Sequence, residues 1–406
     1  MEAAPKARAR TAAGGLSTAV PRTFLAGDGL RAIAAIGVLV LHAAIETMLF
    51  HHSPGFRPED EHFGSLKPIG GPLTALLVLT RTGIYVFFAL SGYLLSRSFL
   101  ASYTLGTPMP AIGRYARNRL LRIVPAFWVV AAVYLTWDHK WSAAGPGGIL
   151  AVFGFAQNYH YTAAATSIAQ AWTLDLEIAF YALIPIVALL GLLGGRRRPR
   201  TPGARLRLVL MVLLGAYALS LLFKHIAGNP PNHSFVISDY FFAFAPGIAL
   251  AAVEPFAAPL ARVRGGSGWA RGCLAAAVVL LALYIALPVS LMNLKLIAET
   301  LGCGALLAAP LTLQWATGRC WLILDNPVMH WLGERSYGIY LIHLGLMGHL
   351  LSRIGHGKTA PVTFGLLVLL STAVTVLAAD LLWRAVERPI LQRRLPWRQA
   401  EFAVRA

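Results

Sequence analysis

The chain has 406 residues, 57% of them hydrophobic and only 13% charged, with a mean hydropathy of +0.63. Its repeated apolar runs approach the ~20 residues a helix needs to cross a bilayer, which excludes an ordinary soluble domain. The net charge of +18 does not indicate nucleic acid, because no basic-aromatic groove or motif accompanies it.

Residues 1–22 read as a basic cytoplasmic tail without fixed structure. The first helix, from about Leu30 to Phe50, carries Asp28 and Arg31 at its mouth and His42 deep inside. A basic stretch before an apolar run resembles a signal peptide, but this run is long, charged at its start and followed by many more, so it is expected to be retained. The next loop, with His51, His52, Glu59, Asp60, Glu61 and His62, is the most acidic and reads as external and solvated, since zinc-ligand spacing is missing. A second helix covers about 82–97. Arg114, Arg117, Arg119 and Arg122 lead into a third that ends near Trp137. Residues 148–157 are too short to span comfortably and read as a re-entrant or interfacial piece. A fourth helix, 170–193, stops against Arg196, Arg197, Arg198 and Arg200. Further spans are expected at about 206–226, 236–254, 271–288, 294–316, 329–351 and 362–384.

The basic blocks fall in alternate loops, the positive-inside pattern. The expected fold is therefore all-α, a polytopic membrane bundle of about ten helices with both termini cytoplasmic, including a basic C-terminal tail, 391–406. Cys273, Cys303 and Cys320 are spaced too widely for a disulfide framework or zinc site and read as packing residues; no metal site is expected. No nucleotide-binding loop of the G-x-x-x-x-G-K-[ST] type occurs, which argues against an ATP-driven pump.

Ionisable residues inside hydrocarbon are costly and persist mainly where they face a polar interior. The helical rise puts His42 ~18 Å from the cytoplasmic entry, His343 ~21 Å up its own helix, and Glu177 ~10 Å below the outer surface. In a core ~30 Å thick these depths nearly coincide. A carboxylate and an imidazole at one level can act as a base and its orienting partner. Ser336, Tyr337 and Tyr340 come inward on the helix of His343, although Ser336 and Tyr340 could equally bond neighbouring helices. Trp172 reads as an interfacial anchor. Arg119 and Arg122, three apart, share one helix face. With Arg31 at the same surface they could clamp a phosphorylated ligand, for which guanidinium forks are suited.

Several blocks then resemble one family. Asp28-Gly29-Leu30-Arg31 with His42 is similar to the opening signature of the acyltransferase-3 family of integral membrane O-acyltransferases. Phe87-Phe88-Ala89-Leu90-Ser91-Gly92 resembles its second-helix block, with Tyr85 where an acid is common. Arg119-Leu120-Leu121-Arg122-Ile123-Val124-Pro125 and Trp172-Thr173-Leu174-Asp175-Leu176-Glu177 resemble its next two blocks. Ser336 to His343 and Glu387-Arg388-Pro389 resemble the closing ones.

The resemblance implies one membrane domain over 23–390 in a bacterial plasma membrane. It implies transfer of a short acyl group from acyl-CoA, a co-substrate rather than a bound cofactor, to a hydroxyl. Acceptors implied by the family are a sugar of a cell-surface glycan, a lipid-linked precursor or a glycosylated natural product such as a macrolide. On that basis His42 is the expected general base, Glu177 orients it or stabilises its charged form, Arg31 holds the donor or steadies the oxyanion, and Arg119 and Arg122 bind CoA phosphates. Asp28, Ser336, Tyr340 and His343 are expected around the substrate. The rival is a proton-coupled secondary transporter with His42 and Glu177 as a relay.

Overall fold

The apolar runs form long helices packed into one bundle. The computed structural model describes residues 23–51, 71–160, 168–193, 199, 201–227 and 236–393. The N-terminal tail, the acidic loop from His52 to His62, Arg196, Arg197, Arg198 and Arg200, and the chain from Arg394 onward lie outside the described residues.

In chain order the helices are α1 (Gly27–Phe50), α2 (Gly71–Leu105), α3 (Ile112–Trp137), α4 (Trp141–Phe153), α5 (Trp172–Leu193), α6 (Pro202–Ala227), α7 (Ile237–Arg264), α8 (Ser267–Ala286), α9 (Met292–Thr317), α10 (Pro327–Ile354) and α11 (Ala360–Leu382). A π-helical turn, Trp383–Glu387, joins α11 to the short α12, Arg388–Gln392. Among the described residues nine helices are long and apolar enough to cross a membrane, and the chain is a multi-pass membrane protein. The expected span at 329–351 is α10, long enough at 28 residues but outside those nine. Its histidines, Glu334, Arg335 and Arg353 lower its hydropathy, and its middle is buried by protein, as polar intramembrane residues require. The second helix exceeds its expected range, running 35 residues.

The short segment before α5 is the 13-residue α4, broken by Gly145 at φ 64 ahead of Pro146. At 1.5 Å per residue it reaches only ~20 Å, too little to span. Elsewhere the local chemistry matches the boundaries. Asn326 caps α10, its side chain accepting from the backbone N–H groups of Val328 and Met329 at 3.1 Å, with Pro327 at the first helical position. Gly318 at φ 71 ends α9 in a left-handed C-cap.

Around α1 stand α2, α10 and α11, while α2 also packs on α7 and α9. The α2–α7 crossing is a backbone contact: a Cβ on Gly92 would strike the Phe244 carbonyl, and one on Gly247 the Ala89 carbonyl. Such small-residue crossings are how membrane helices approach closely. Gly333 of α10 lies against Asp28 of α1 in the same manner. On the far side of α10, Arg335 is buried between the rings of Trp331 and Trp383, 4.2 and 4.3 Å from its guanidinium carbon, and its Nε donates to Asp380 at 2.6 Å. That pairing satisfies a charge the bilayer would not tolerate alone.

One end of the bundle gathers the start of α1, the start of α10 and the ends of α2, α7 and α9. Leu25 N–H donates to Gln314 of α9, Arg97 of α2 pairs with Glu254 of α7 at 3.1 Å, and His330 of α10 contacts Asp28. The arginine-bearing first half of α3 opens toward this end, which we call the basic end.

Candidate active site

A cavity of about 810 Å³, its open mouth included, lies between α1, α2, α3, α5 and α10. Arg31, Arg119, Arg122, Glu177, Ser336 and Tyr340 all line it, together with Ser91, Thr173, Tyr181 and Tyr337; Phe87, Phe88, Leu94 and Leu95 form an apolar wall.

Three guanidiniums converge here from two helices. Arg31 is paired with Asp28, one turn earlier on α1, at 3.0 Å. Asp28 in turn meets His330 Nδ1 at 3.3 Å, and His330 Nε2 lies 2.7 Å from Asp325. Arg119 sits 5.8 Å over the ring of Tyr115, and neither Arg119 nor Arg122 forms an ion pair with a described carboxylate. Two guanidiniums without acidic partners inside a bundle leave a cavity whose potential favours an anion.

Glu177 is the carboxylate of this cavity. Its Oε1 accepts from Ser91 Oγ at 3.0 Å and from Tyr181 OH at 2.7 Å. Tyr337 OH donates to the Ile123 carbonyl at 2.8 Å, tying α10 to the arginine-bearing stretch of α3. The hydroxyl of Tyr340 is held by Thr173 Oγ1 at 2.8 Å and by the Gln170 carbonyl at 2.9 Å. Ser336 donates to the Gly333 carbonyl within its own helix.

His42 and His343 meet outside this group of lining residues, one turn beyond Tyr340. His343 Nε2 lies 3.1 Å from His42 Nδ1, and the ring centroids are 4.9 Å apart. His343 is buried, while His42 is half-buried. The expected common level for these two imidazoles is thus met by direct contact. The imidazole's neighbour is His343, whereas Glu177 is engaged by Ser91 and Tyr181. Sequence reading did not foresee Ser91 and Tyr181 as partners of Glu177, nor Gln170, whose Nε2 donates to the Leu341 carbonyl at 2.8 Å and braces α10. Trp172 is half-buried, its ring 5.2 Å from Tyr240 and 6.3 Å from Phe88.

These helices make a polytopic membrane bundle with an arginine-lined cavity and, one turn beyond it, a pair of imidazoles in contact. The chain belongs to the acyltransferase-3 family, whose acyltransferase domain matches residues 25–384. It is similar to the O-acetyltransferase OatA of Staphylococcus aureus (strain MRSA252), 23% identical over 429 residues that cover 94% of this chain and 60% of that protein. It is also similar to the peptidoglycan O-acetyltransferase OatA of Listeria monocytogenes, 25% identical over 381 residues, covering 89% of this chain and 55% of that protein. The chain therefore spans little more than half the length of these curated relatives. No solved structure matches it.

Proposed function

We propose that this protein is a membrane O-acyltransferase that moves a short acyl group from acyl-CoA to a hydroxyl on a cell-envelope glycan, a lipid-linked precursor or a glycosylated small molecule. The carrying observation is the convergence of Arg31, Arg119 and Arg122 on one cavity, with Arg119 and Arg122 free of described acidic partners. CoA is a phosphorylated donor, and guanidinium forks bind phosphate bidentately. The relatives named as O-acetyltransferases support the acyl group and the hydroxyl acceptor.

In this reading Arg119 and Arg122 hold the donor's phosphates, and Arg31, tethered by Asp28, steadies the thioester oxygen as it gains charge. His42 removes the proton from the acceptor hydroxyl. The acceptor oxygen bonds to the thioester carbonyl carbon, the carbon–sulfur bond breaks, and the thiolate leaves with the electron pair. The proton held on His42 then passes to the thiolate, so the protein returns to its starting state. Glu177, fixed by Ser91 and Tyr181, supplies counter-charge in the cavity. Tyr340 and Ser336 border the same space.

The test is release of free CoA thiol by purified protein in lipid nanodiscs supplied with short acyl-CoAs and a glycan extract. Release by the wild type that His42→Ala abolishes supports the reading. Folded protein that releases no thiol with any donor, yet in sealed proteoliposomes couples uptake of a solute to protons, would replace it with the transporter reading.

A further inference from the structure

The histidine pair has a hydrogen-bond polarity that its surroundings dictate. His343 Nδ1 lies 2.8 Å from the Tyr340 carbonyl and 3.2 Å from that of Ile339. Carbonyl oxygens only accept, so Nδ1 carries the proton and, in the neutral ring, Nε2 of His343 is a bare acceptor. His42 Nδ1 faces that acceptor at 3.1 Å and the Val38 carbonyl at 2.9 Å. Both neighbours accept, so His42 Nδ1 must donate. The free lone pair of His42 is then on Nε2, the nitrogen farther from its own backbone.

The geometry points to His343 as the positioning residue that, together with the Val38 carbonyl, fixes the tautomer and orientation of His42 for proton abstraction by Nε2. This inference rests on the proposed role of His42 as general base. A base needs its second nitrogen held by an acceptor, and in hydrolase triads that acceptor is a carboxylate. Here a neutral imidazole shares that proton with the Val38 carbonyl. When the acceptor hydroxyl's proton moves to His42 Nε2, the Nδ1–H bond to His343 becomes charge-assisted and strengthens. His343 keeps its own proton on Nδ1 throughout, anchored on the carbonyls of α10.

The brace behind His343 is itself rigid. Its anchoring residue Tyr340 is pinned at the hydroxyl by Thr173 and Gln170, and Gln170 also binds the Leu341 carbonyl. On the opposite wall, Tyr134 OH donates to the Ile342 carbonyl. The turn of α10 that carries His343 is therefore tied to α3 and to the entry of α5.

The experiment compares His343→Gln, His343→Asn and His343→Leu with His42→Ala and wild type in the thiol-release assay, with thermal stability measured alongside. A glutamine can set its side-chain oxygen near the Nε2 position and accept from His42. Asparagine is shorter and reproduces only the bond to the α10 carbonyl. The expected result is that His343→Leu and His343→Asn lower kcat on the order of a hundredfold with an unchanged KM for acyl-CoA, while His343→Gln recovers much of it. Equal activity in asparagine and glutamine variants, or wild-type kcat in the folded leucine variant, would overturn the positioning role. Retained turnover in His42→Ala would instead overturn the base assignment, a separable outcome. As a second readout, the nitrogen resonances of ¹⁵N-histidine-labelled protein in nanodiscs, assigned by loss in His42→Ala, should show Nδ1 of His42 protonated and Nε2 bare. The reverse pattern would overturn the inference even if every His343 variant misfolded.

Discussion

Tyr181 and Glu177 stand one turn apart on α5, and the tyrosine hydroxyl donates to Glu177 Oε1 over 2.7 Å. The same oxygen takes the Ser91 hydroxyl from α2. One carboxylate oxygen thereby joins two helices at the wall of an arginine-lined cavity. Removing the charge while keeping the shape separates its roles. Glu177→Gln is expected to lower kcat on the order of tenfold to a hundredfold without raising KM for acyl-CoA, measured by steady-state thiol release. A raised KM at full kcat would make Glu177 a donor-binding group instead.

Arg119 and Arg122 should behave differently, because they are assigned to ground-state binding of phosphate. Arg119→Lys and Arg122→Lys keep the charge but lose the fork. Each is expected to raise KM for acyl-CoA by about tenfold, roughly one charge-assisted hydrogen bond, with kcat little changed. Titrating salt should raise KM in the wild type more steeply than in either alanine variant.

The α2–α7 crossing admits no side chain at its closest point. Gly247→Ala forces the two backbones apart and is expected to destabilise the bundle by about 1–3 kcal/mol, the usual cost of overpacking. Thermal unfolding in detergent reads this directly. Gly203→Ala, at a position with nothing within 4 Å of the added carbon, is the control and should leave the midpoint in place.

Arg335 and Asp380 offer a second stability test. Asp380→Ala leaves a guanidinium that is 4% exposed with only the half-exposed Glu334, at 3.2 Å, as counter-charge, so the cost is expected below the about 3–5 kcal/mol of a fully stranded buried charge. Arg384, the other arginine on Asp380, has a side chain 65% exposed. Its alanine variant should shift the unfolding midpoint little, because a water-exposed partner contributes little.

What the sequence made legible was depth. A fixed rise per residue turns a position in a helix into a height, and His42 and His343 do meet at one level. Helix rotation was harder to read: α5 is apolar nearly all round, so nothing in its pattern showed that Glu177 would turn toward Ser91 rather than toward His42. The same gap hid the ring contacts of Trp172 with Tyr240 and Phe88. Hydropathy located most spans but undervalued α10. Its histidines and arginine are stabilised by neighbours distant in sequence, such as Asp380 and His42, which no local window contains.

Gly333 seats α10 directly on Asp28 of α1, and His42 lies ~21 Å further along that helix. The two helices thus touch through backbone at the arginine end, and their imidazoles meet a little past the middle of each helix. A change of about 3° in their crossing would separate the rings by about 1 Å over that length, enough to break a hydrogen bond of 3.1 Å. A ligand beside Arg31 that altered this crossing would therefore be felt at the histidine pair, ~16 Å further along α1.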